Sequence, residues 1–309
     1  MRKLLFSAAL VFAAGPVMAE EWPDLPVGVK NGIAARVGER LIVGLGSAGT
    51  ELFSLDLTNR EAGWQQLPDF PGPAPSMPAA AASGEDLYVF SGSGKLHEDD
   101  ASPIIFDTGW KLGANGWQQL GSTTPAGLLG ASALSLPDDR IAVIGGYNKE
   151  MFDTYLAEIT AVNKDDDPET CNKIVNSYMA MKPEDYRWND LVLIYDPAGD
   201  NWSDLGADPS LPNTGSAVVR TKPGTFYIIN GEVKPGLRTD QVKTLKITDG
   251  TAIWGSLPPV PAPEGANIQT DWRELSQDWR TKPSCSRVAP TSRAQGRMPM
   301  REIGMLMTG

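Results

Sequence analysis

The sequence contains little cysteine and almost no histidine, which excludes several kinds of reactive site. Its 309 residues include two cysteines, Cys171 and Cys285, and one histidine. Two cysteines allow one disulfide but not a disulfide framework, and we expect two unpaired thiols. The histidine, His97, lies in an acidic stretch. It cannot supply a Ser-His-Asp or Cys-His arrangement, and it lacks the clustered partners of a metal ligand, so we expect no metal site.

Positive charge is also scarce. Lysine and arginine number 27 against 38 aspartates and glutamates, for a net charge of −11. Such a surface repels nucleic acid and anionic lipid, so we expect no nucleic-acid partner. Any anionic ligand would need a local positive site that works against the overall field.

The longest apolar run stands at the N-terminus. Residues 4–14 follow Met1-Arg-Lys3 and precede Val17-Met-Ala19. A basic start, an apolar core too short to span a bilayer and a small residue before the cut predict a secretory signal peptide over residues 1–19. The alternative is a buried N-terminal helix. Because no later run is long enough to span a bilayer, we expect a periplasmic protein without a membrane anchor.

Four tryptophans stand in one repeated pattern, which predicts the architecture. Each is followed by two polar or small residues and a leucine, and an apolar run ending in glycine precedes each of them. The tryptophans are Trp64, Trp117, Trp202 and Trp254. Two of their three spacings are about 50 residues, the period of kelch-type propeller blades. The sequence therefore predicts an all-β, kelch-type β-propeller with about four recognisable blades over residues 20–266.

The pattern also assigns strands within each blade. We assign the apolar run to the inner strand and the tryptophan to the strand that closes the blade. Between them, a second strand ends in an acidic turn at Asp56, Asp107 and Asp196. We expect the indoles to pack between neighbouring sheets rather than to contact a ligand.

The middle spacing is about 85 residues, so one blade carries an insertion. It covers about residues 148–187, where Ile174, Tyr178 and Met181 suit one face of a helix. We predict a small helical insertion of two short helices that caps one end of the channel. The acidic triplet of residues 165–167 lacks the alternating ligands and glycine of a calcium loop, so a solvated turn is the better interpretation.

The repeat pattern stops at about residue 267. One interpretation of residues 267–309 is a disordered or accessory tail. The other is a frameshift, because codon degeneracy permits a blade-like peptide when each codon is read from its third base. We favour an aberrant, frameshifted tail. A propeller of this kind usually has six blades. Four blades leave such a ring open, so we expect the 309-residue chain to be poorly stable.

The most unusual charged segment is residues 229–240. Glu232 follows the glycine that ends an apolar run, and Lys234 and Arg238 are close by in sequence. A carboxylate with two cations beside a propeller axis suits acid–base chemistry on an anionic sugar. A charged hairpin turn with a surface ion pair explains the same residues, and composition alone does not decide between the two.

Three motifs carry a resemblance to a known family. They are Gly44-Leu-Gly-Ser-Ala-Gly-Thr50, Glu184-Asp-Tyr186 with Asn189, and Asn230-Gly-Glu-Val-Lys-Pro-Gly-Leu-Arg-Thr-Asp240. Together they resemble the N-acetylneuraminate epimerase family, whose members are six-bladed periplasmic kelch propellers that act as sialic acid mutarotases. The resemblance runs from the signal peptide to about Gly265.

The resemblance implies roles for four residues. Glu232 matches the proton acceptor of the family, and Arg238 is placed to bind the carboxylate of the substrate. We expect Lys234 and Asn230 to be further substrate-binding residues. The implied reaction interconverts the α and β anomers of N-acetylneuraminate by ring opening and reclosure, and it needs no cofactor and no metal. The chain departs from the family in its C-terminal portion, so its own activity and its oligomeric state stay open.

Two alternatives remain at this point. A kelch propeller can be a non-catalytic module that binds sialic acid or a protein partner. The chain could also be an isomerase or lyase that acts on a different sugar.

Overall fold

The computed structural model describes residues 22–261, and the predicted signal peptide and tail lie outside this range. Four antiparallel sheets of four strands account for most of it. Blade 1 contains β1 (Ile33–Val37), β2 (Arg40–Gly44), β3 (Leu52–Asp56) and β4 (Gln65–Gln66). Blade 2 begins with β5 (Ala79–Ser83) and β6 (Asp86–Phe90), continues through a small pair, β7 (Ser93–Gly94) and β8 (Ile104–Ile105), and ends with β9 (Gly109–Gly113) and β10 (Gly116–Gln119).

The other two blades carry the longer excursions. Blade 3 contains β11 (Ser132–Ser135) and β12 (Ile141–Ile144), then helices α1 (Lys149–Thr160) and α2 (Pro168–Ala180), then β13 (Leu191–Asp196) and β14 (Asn201–Ala207). Blade 4 contains β15 (Ala217–Lys222) and β16 (Thr225–Ile229), a hairpin of β17 (Glu232–Lys234) and β18 (Leu237–Arg238), then β19 (Val242–Thr248) and β20 (Thr251–Leu257). The predicted four blades with a helical insertion are therefore confirmed.

The assignment of the apolar runs to the inner strand is wrong. These runs form the second strand of each sheet, β2, β6, β12 and β16. The first strands of neighbouring blades contact each other, β1 with β5 and β5 with β11, so the first strands lie nearest the axis. Crowding at the axis favours small side chains, as in β5 (AAAAS) and β11 (SALS). Because such sequences give little hydrophobic signal, the periodicity pointed to the second strands instead.

Backbone hydrogen bonds join the starts of successive blades. The residue two positions before each first strand has a positive φ: 56° at Asn31, 54° at Met77, 71° at Gly130 and 59° at Gly215. The N–H of Met77 donates to the carbonyl of Asn31 (2.6 Å), Gly130 donates to Met77 (2.9 Å) and Gly215 donates to Gly130 (3.0 Å). We call this series the axial ladder.

Apolar side chains fill the space between each pair of neighbouring sheets, and three of the four indoles lie there as predicted. Trp117 packs in the cluster between blades 1 and 2, Trp202 between blades 2 and 3, and Trp254 between blades 3 and 4. Trp64 instead donates its indole N–H to the carbonyl of Pro23 (3.0 Å). The cores between the blades are thus built by side chains that alternate along the strands.

The strand assigned before Asp107 is a second correction. Ile105 belongs to the small β7–β8 pair, and β9 is the third strand of blade 2. The backbone N–H of Ile105 donates to the carboxylate of Asp153 on α1 (2.7 Å). The segment therefore leaves its own sheet to contact the helical insertion.

The insertion forms two helices, as predicted, and each has a side-chain cap at its N-terminus. Asn148 accepts a hydrogen bond from the N–H of Met151 (3.0 Å) at the start of α1, and Asp167 accepts one from Thr170 (3.0 Å) at the start of α2. Asp167 of the acidic triplet thus serves as a helix cap. Cys171 is buried between the helices and takes part in a disulfide bond, so the expectation of unpaired thiols is wrong for this residue. Within residues 22–261, no helix is long and apolar enough to cross a membrane.

The axial ladder yields a prediction about two glycines. Alanine at either Gly130 or Gly215 should cost about 1–2 kcal/mol, because both positions have a left-handed conformation. At Gly130 the added methyl group would also overlap the hydroxyl of buried Thr214, whereas nothing lies within 4 Å of the methyl position at Gly215. We therefore expect Gly130→Ala to lower the free energy of unfolding by about 1–3 kcal/mol more than Gly215→Ala. Chemical denaturation measures both, and equal losses would contradict the role given to this contact.

Candidate functional site

The same local geometry recurs where the chain leaves each second strand. Two consecutive residues with positive φ follow the strand: Leu45 and Gly46, Ser91 and Gly92, Gly145 and Gly146, Asn230 and Gly231. The next residue bonds back to the segment that precedes the first strand of its own blade. These bonded pairs are Ser47 with Lys30, Ser93 with Ser76, Tyr147 with Leu129, and Glu232 with Thr214. Ser47, Ser93, Tyr147 and Glu232 therefore occupy equivalent positions next to the axial ladder.

Asn230 holds the turn in blade 4. Its φ of 61° is left-handed, a conformation that asparagine tolerates better than most residues. Its side-chain oxygen accepts hydrogen bonds from the N–H of Gly231 (2.5 Å) and from Nε of Arg238 (2.8 Å). Its carbonyl accepts from Nδ2 of Asn213 (2.5 Å) and Oγ of Ser216 (3.2 Å). Asn230 thus positions the site through bonds within the protein, and its role in substrate binding stays a prediction.

Glu232 begins the β17–β18 hairpin, directly opposite Arg238 in the strand register. Its Oε1 lies 3.9 Å from Nη1 of Arg238, and its Oε2 accepts a hydrogen bond from the hydroxyl of Tyr147 (3.4 Å). The side chain is 28% exposed. Burial raises the pKa of Glu232, while Arg238, the N–H of Gly236 and Tyr147 act in the opposite direction.

Arg238 is oriented by the fold and still reaches solvent. Besides the bond from Nε to Asn230, its Nη2 donates to the carbonyl of Gly215 in the axial ladder (2.9 Å). The side chain remains 34% exposed. Because guanidinium presents its donors in a planar fork, an arginine held in this way is suited to a carboxylate ligand. The structure therefore brings Glu232 and Arg238 together, as the sequence predicted.

Lys234 turns away from this pair. A register shift, or β-bulge, lies between Glu232 and Lys234, and such shifts redirect side chains. The ammonium group donates to the carbonyls of Met179 (2.9 Å) and Met181 (2.7 Å) at the C-terminal end of α2. Cations stabilise this end of a helix, so Lys234 joins the hairpin to the insertion. Its predicted role in substrate binding stays a prediction.

A buried ion pair supports the turn at Asn230. Nζ of Lys243 lies 2.5 Å from Asp208, and both side chains are less than a tenth exposed. Lys243 also donates to the carbonyl of Leu211 (2.7 Å) and to Oδ1 of Asn213 (3.1 Å), whose Nδ2 bonds to Asn230. Burial lowers the pKa of Lys243 and Asp208 opposes that shift. A continuous set of hydrogen bonds thus runs from this pair to Arg238.

Sequence reasoning missed Tyr147 and the Lys243–Asp208 pair. The signal for Tyr147 was present, since it follows Gly145-Gly146 as Glu232 follows Asn230-Gly231. Nothing local marked Lys243, because its partners lie about 30 or more positions away in the chain.

The arrangement is a half-buried carboxylate between a guanidinium and a phenol. A carboxylate whose pKa is raised by burial can accept a proton near neutral pH more effectively than an exposed one. The neighbouring cation can bind an anionic group of the same ligand. Residues 22–261 contain no cluster of three or more His, Cys, Asp or Glu side chains that could bind a metal. The geometry therefore supports acid–base chemistry on a small anion.

Comparison with known proteins gives consistent likenesses. The family profile described as N-acetylneuraminate epimerase matches residues 22–271. An N-acetylneuraminate epimerase of Brucella melitensis biotype 1 is 53% identical over 85% of this chain and 68% of the relative. A kelch domain-containing protein of Vibrio cholerae serotype O1 is 37% identical over 74% of this chain and 64% of the relative. The solved structure of YjhT matches with a TM-score of 0.72 and 34% identity, over 79% of this chain and 69% of that chain.

Two facts follow from these comparisons. The four sheets, with the likeness to the kelch protein and to YjhT, confirm the predicted kelch-type β-propeller. The chain spans roughly two thirds of the length of the proteins that it matches.

The contacts of Lys234 yield a prediction that separates anchoring from ligand binding. Lys234→Met keeps the aliphatic stem but removes the donor to two helix carbonyls, so we expect the free energy of unfolding to fall by about 1–3 kcal/mol. Lys246→Met, at an exposed position of β19, is the matched control and should change it by less than about 0.5 kcal/mol. If both variants unfold like the parent chain, the carbonyl contacts contribute nothing and ligand binding becomes the better interpretation of Lys234.

Proposed function

This chain belongs to the N-acetylneuraminate epimerase family, and we propose that it interconverts the anomers of N-acetylneuraminate with Glu232 as the base. The enzyme is an isomerase of the mutarotase type, and its substrate is a sialic acid. The observation that carries the proposal is the pairing of half-buried Glu232 with Arg238 on one hairpin beside the axis.

The proposed reaction moves two protons and breaks one ring bond. The carboxylate of Glu232 accepts the proton of the anomeric hydroxyl while the ring oxygen gains a proton from a water molecule, and reclosure returns both protons. The bond between the anomeric carbon and the ring oxygen breaks, and a C2 carbonyl forms. Rotation about the adjacent bond presents the other face of that carbonyl, and reclosure in the reverse sense gives the other anomer. General acid–base catalysis contributes typically 10²–10⁴-fold, which is sufficient for a reaction that already proceeds in water.

Arg238 supplies the local positive charge that an anionic sugar needs. The protein carries a net charge of −11, so its overall field repels a sialate anion. Two of the guanidinium donors are held by Asn230 and Gly215, which fixes the group before the substrate arrives. We assign Arg238 to the substrate carboxylate, since pre-oriented ionic contacts cost little to organise at the moment of binding.

We further propose that the protein is exported to the periplasm. The support is the signal-peptide pattern of residues 1–19, with a basic start, an apolar core and a small residue at Ala19. Sequencing the N-terminus of protein recovered from the periplasm tests this. The mature chain should begin at Glu20, and recovery of the protein in the cytoplasm alone, with Met1 still present, would contradict it.

Replacement of the base gives the first prediction of the mechanism. Glu232→Gln preserves size and removes the ionisable group, so the catalysed anomer exchange should fall by about 10²–10⁴-fold while KM changes little. NMR exchange spectroscopy of N-acetylneuraminate measures the rate above the uncatalysed background. Glu150→Gln, at a side chain that is 78% exposed, is the matched control and should retain the activity of the parent chain. Unchanged exchange in Glu232→Gln would remove this residue from the mechanism.

The pKa of Glu232 sets a second prediction. A base must be ionised, so kcat/KM should decrease as the pH falls through the pKa of Glu232. Burial raises that pKa above its ordinary value of 4.5, so the acidic limb should lie above 4.5. The measurement is a pH–rate profile of catalysed exchange with the uncatalysed rate subtracted. A limb at or below 4.5, or a profile that is flat through the acidic range, would be inconsistent with this assignment.

The same experiments distinguish the other functions open to a propeller. Saturable binding of sialate without faster anomer exchange would indicate a binding module. Faster exchange of free aldoses, but not of N-acetylneuraminate, would indicate a mutarotase of another sugar. Either result would overturn the proposed activity without changing the fold.

A further inference from the structure

Tyr147 occupies in blade 3 the position that Glu232 occupies in blade 4. Each follows two residues of positive φ, and each bonds back to the segment before the first strand of its own blade. The equivalent positions in blades 1 and 2 carry serines, Ser47 and Ser93. Among the four described blades, only blades 3 and 4 therefore place a long side chain at this level beside the axis.

The carboxylate of Glu232 is contacted from two sides. The hydroxyl of Tyr147 lies 3.4 Å from Oε2, and Nη1 of Arg238 lies 3.9 Å from Oε1. A different partner for each oxygen fixes the plane of the carboxylate. The first distance is longer than the 2.5–3.0 Å of an ordinary O–H···O bond, so the contact from Tyr147 is a long hydrogen bond.

The phenol ring is held by the helical insertion and its return segment. The ring centroid of Tyr147 lies 5.1 Å from that of Phe152 on α1 and 4.6 Å from that of Trp188. Aromatic contacts of this kind stabilise a ring beyond the burial of its apolar area. Burial and the nearby carboxylate raise the pKa of Tyr147 well above 10, so the hydroxyl keeps its proton and remains a donor.

The other charged or titratable groups around the hairpin lie on β17 and on the 3-10 turn that packs against it. Lys234 on β17 is bonded to the end of α2. Glu184, Asp185 and Tyr186 lie on the 3-10 turn Pro183–Tyr186, which packs against β17. The groups that act on the pKa of Glu232 are Arg238, Tyr147 and the backbone N–H of Gly236. The phenol is thus the one neutral side-chain donor acting on the carboxylate within residues 22–261.

We propose that Tyr147 is a positioning residue that donates to Glu232 and fixes which carboxylate oxygen faces the substrate. The helical insertion then acts on the reaction by holding the phenol ring. The catalytic consequence rests on the proposed function, whereas the effect on Glu232 itself does not.

The test compares Tyr147→Phe with Tyr155→Phe, each of which removes one phenolic hydroxyl. Tyr155 stacks on Tyr178 within the insertion, and it is not among the groups that act on the pKa of Glu232. Carbon-13 NMR of selectively labelled glutamate carboxyls gives the pKa of Glu232, whose signal is identified by its absence in Glu232→Gln. Because the bond from Tyr147 lowers the pKa of Glu232, that pKa should rise in Tyr147→Phe and stay constant in Tyr155→Phe.

The same variants are compared in anomer exchange. In Tyr147→Phe, kcat should fall about threefold to tenfold, the acidic limb should move to higher pH, and KM should change less than about twofold.

The outcomes separate the two proposals. If the parent chain accelerates exchange and Tyr147→Phe matches it in rate and in the pKa of Glu232, the positioning role is wrong. If the parent chain does not accelerate exchange, the proposed function fails, and the pKa difference alone decides the position of Tyr147. Phe152→Leu removes one wall around the ring and provides a second variant. It should shift the pKa of Glu232 in the same direction by a smaller amount, and no shift in either variant would overturn the inference.

Discussion

The axial ladder is the constraint on which the rest of this propeller depends. Its hydrogen bonds require a left-handed residue before each first strand, which glycine provides without strain in blades 3 and 4. The ladder fixes the distance between neighbouring blades and their height along the axis. The segments that leave the second strands therefore arrive at one level. Side chains from different blades, Tyr147 and Glu232 among them, meet there.

The site uses polar groups that the fold has already engaged. Asn230 bonds to its own turn and to Arg238, and the buried Lys243–Asp208 pair holds that turn through Asn213. Removing one member of such a buried set leaves an uncompensated polar group, so the set tends to remain in a single arrangement. Arg238 is consequently oriented before any ligand binds. A pre-oriented cation is what an acidic protein needs in order to bind an anion.

Much of the fold was predictable because it repeats. The tryptophan pattern predicted four blades, the place of the insertion and the packing of the four indoles between sheets, which holds for three of them. The errors came where sequence signal is weak. First strands made of alanine and serine lack hydrophobic contrast, so the second strands took their place in the prediction. Ile105 lies in an apolar run like those of the blades. Its backbone N–H nevertheless bonds to Asp153 of the helical insertion instead of to a strand of blade 2.

The sequence by itself determined that Glu232 and Arg238 share a hairpin. The short Pro235-Gly236 turn brings them onto neighbouring strands, and the β-bulge between Glu232 and Lys234 places them opposite each other. Only the tertiary structure decided that Lys234 binds the end of α2 and that Tyr147, 85 positions from Glu232, reaches its carboxylate. Local residue patterns specify strands and turns, because these depend on neighbours in the chain. The direction of a side chain after a bulge, and its contact with another blade, depend on how the sheets pack around the axis.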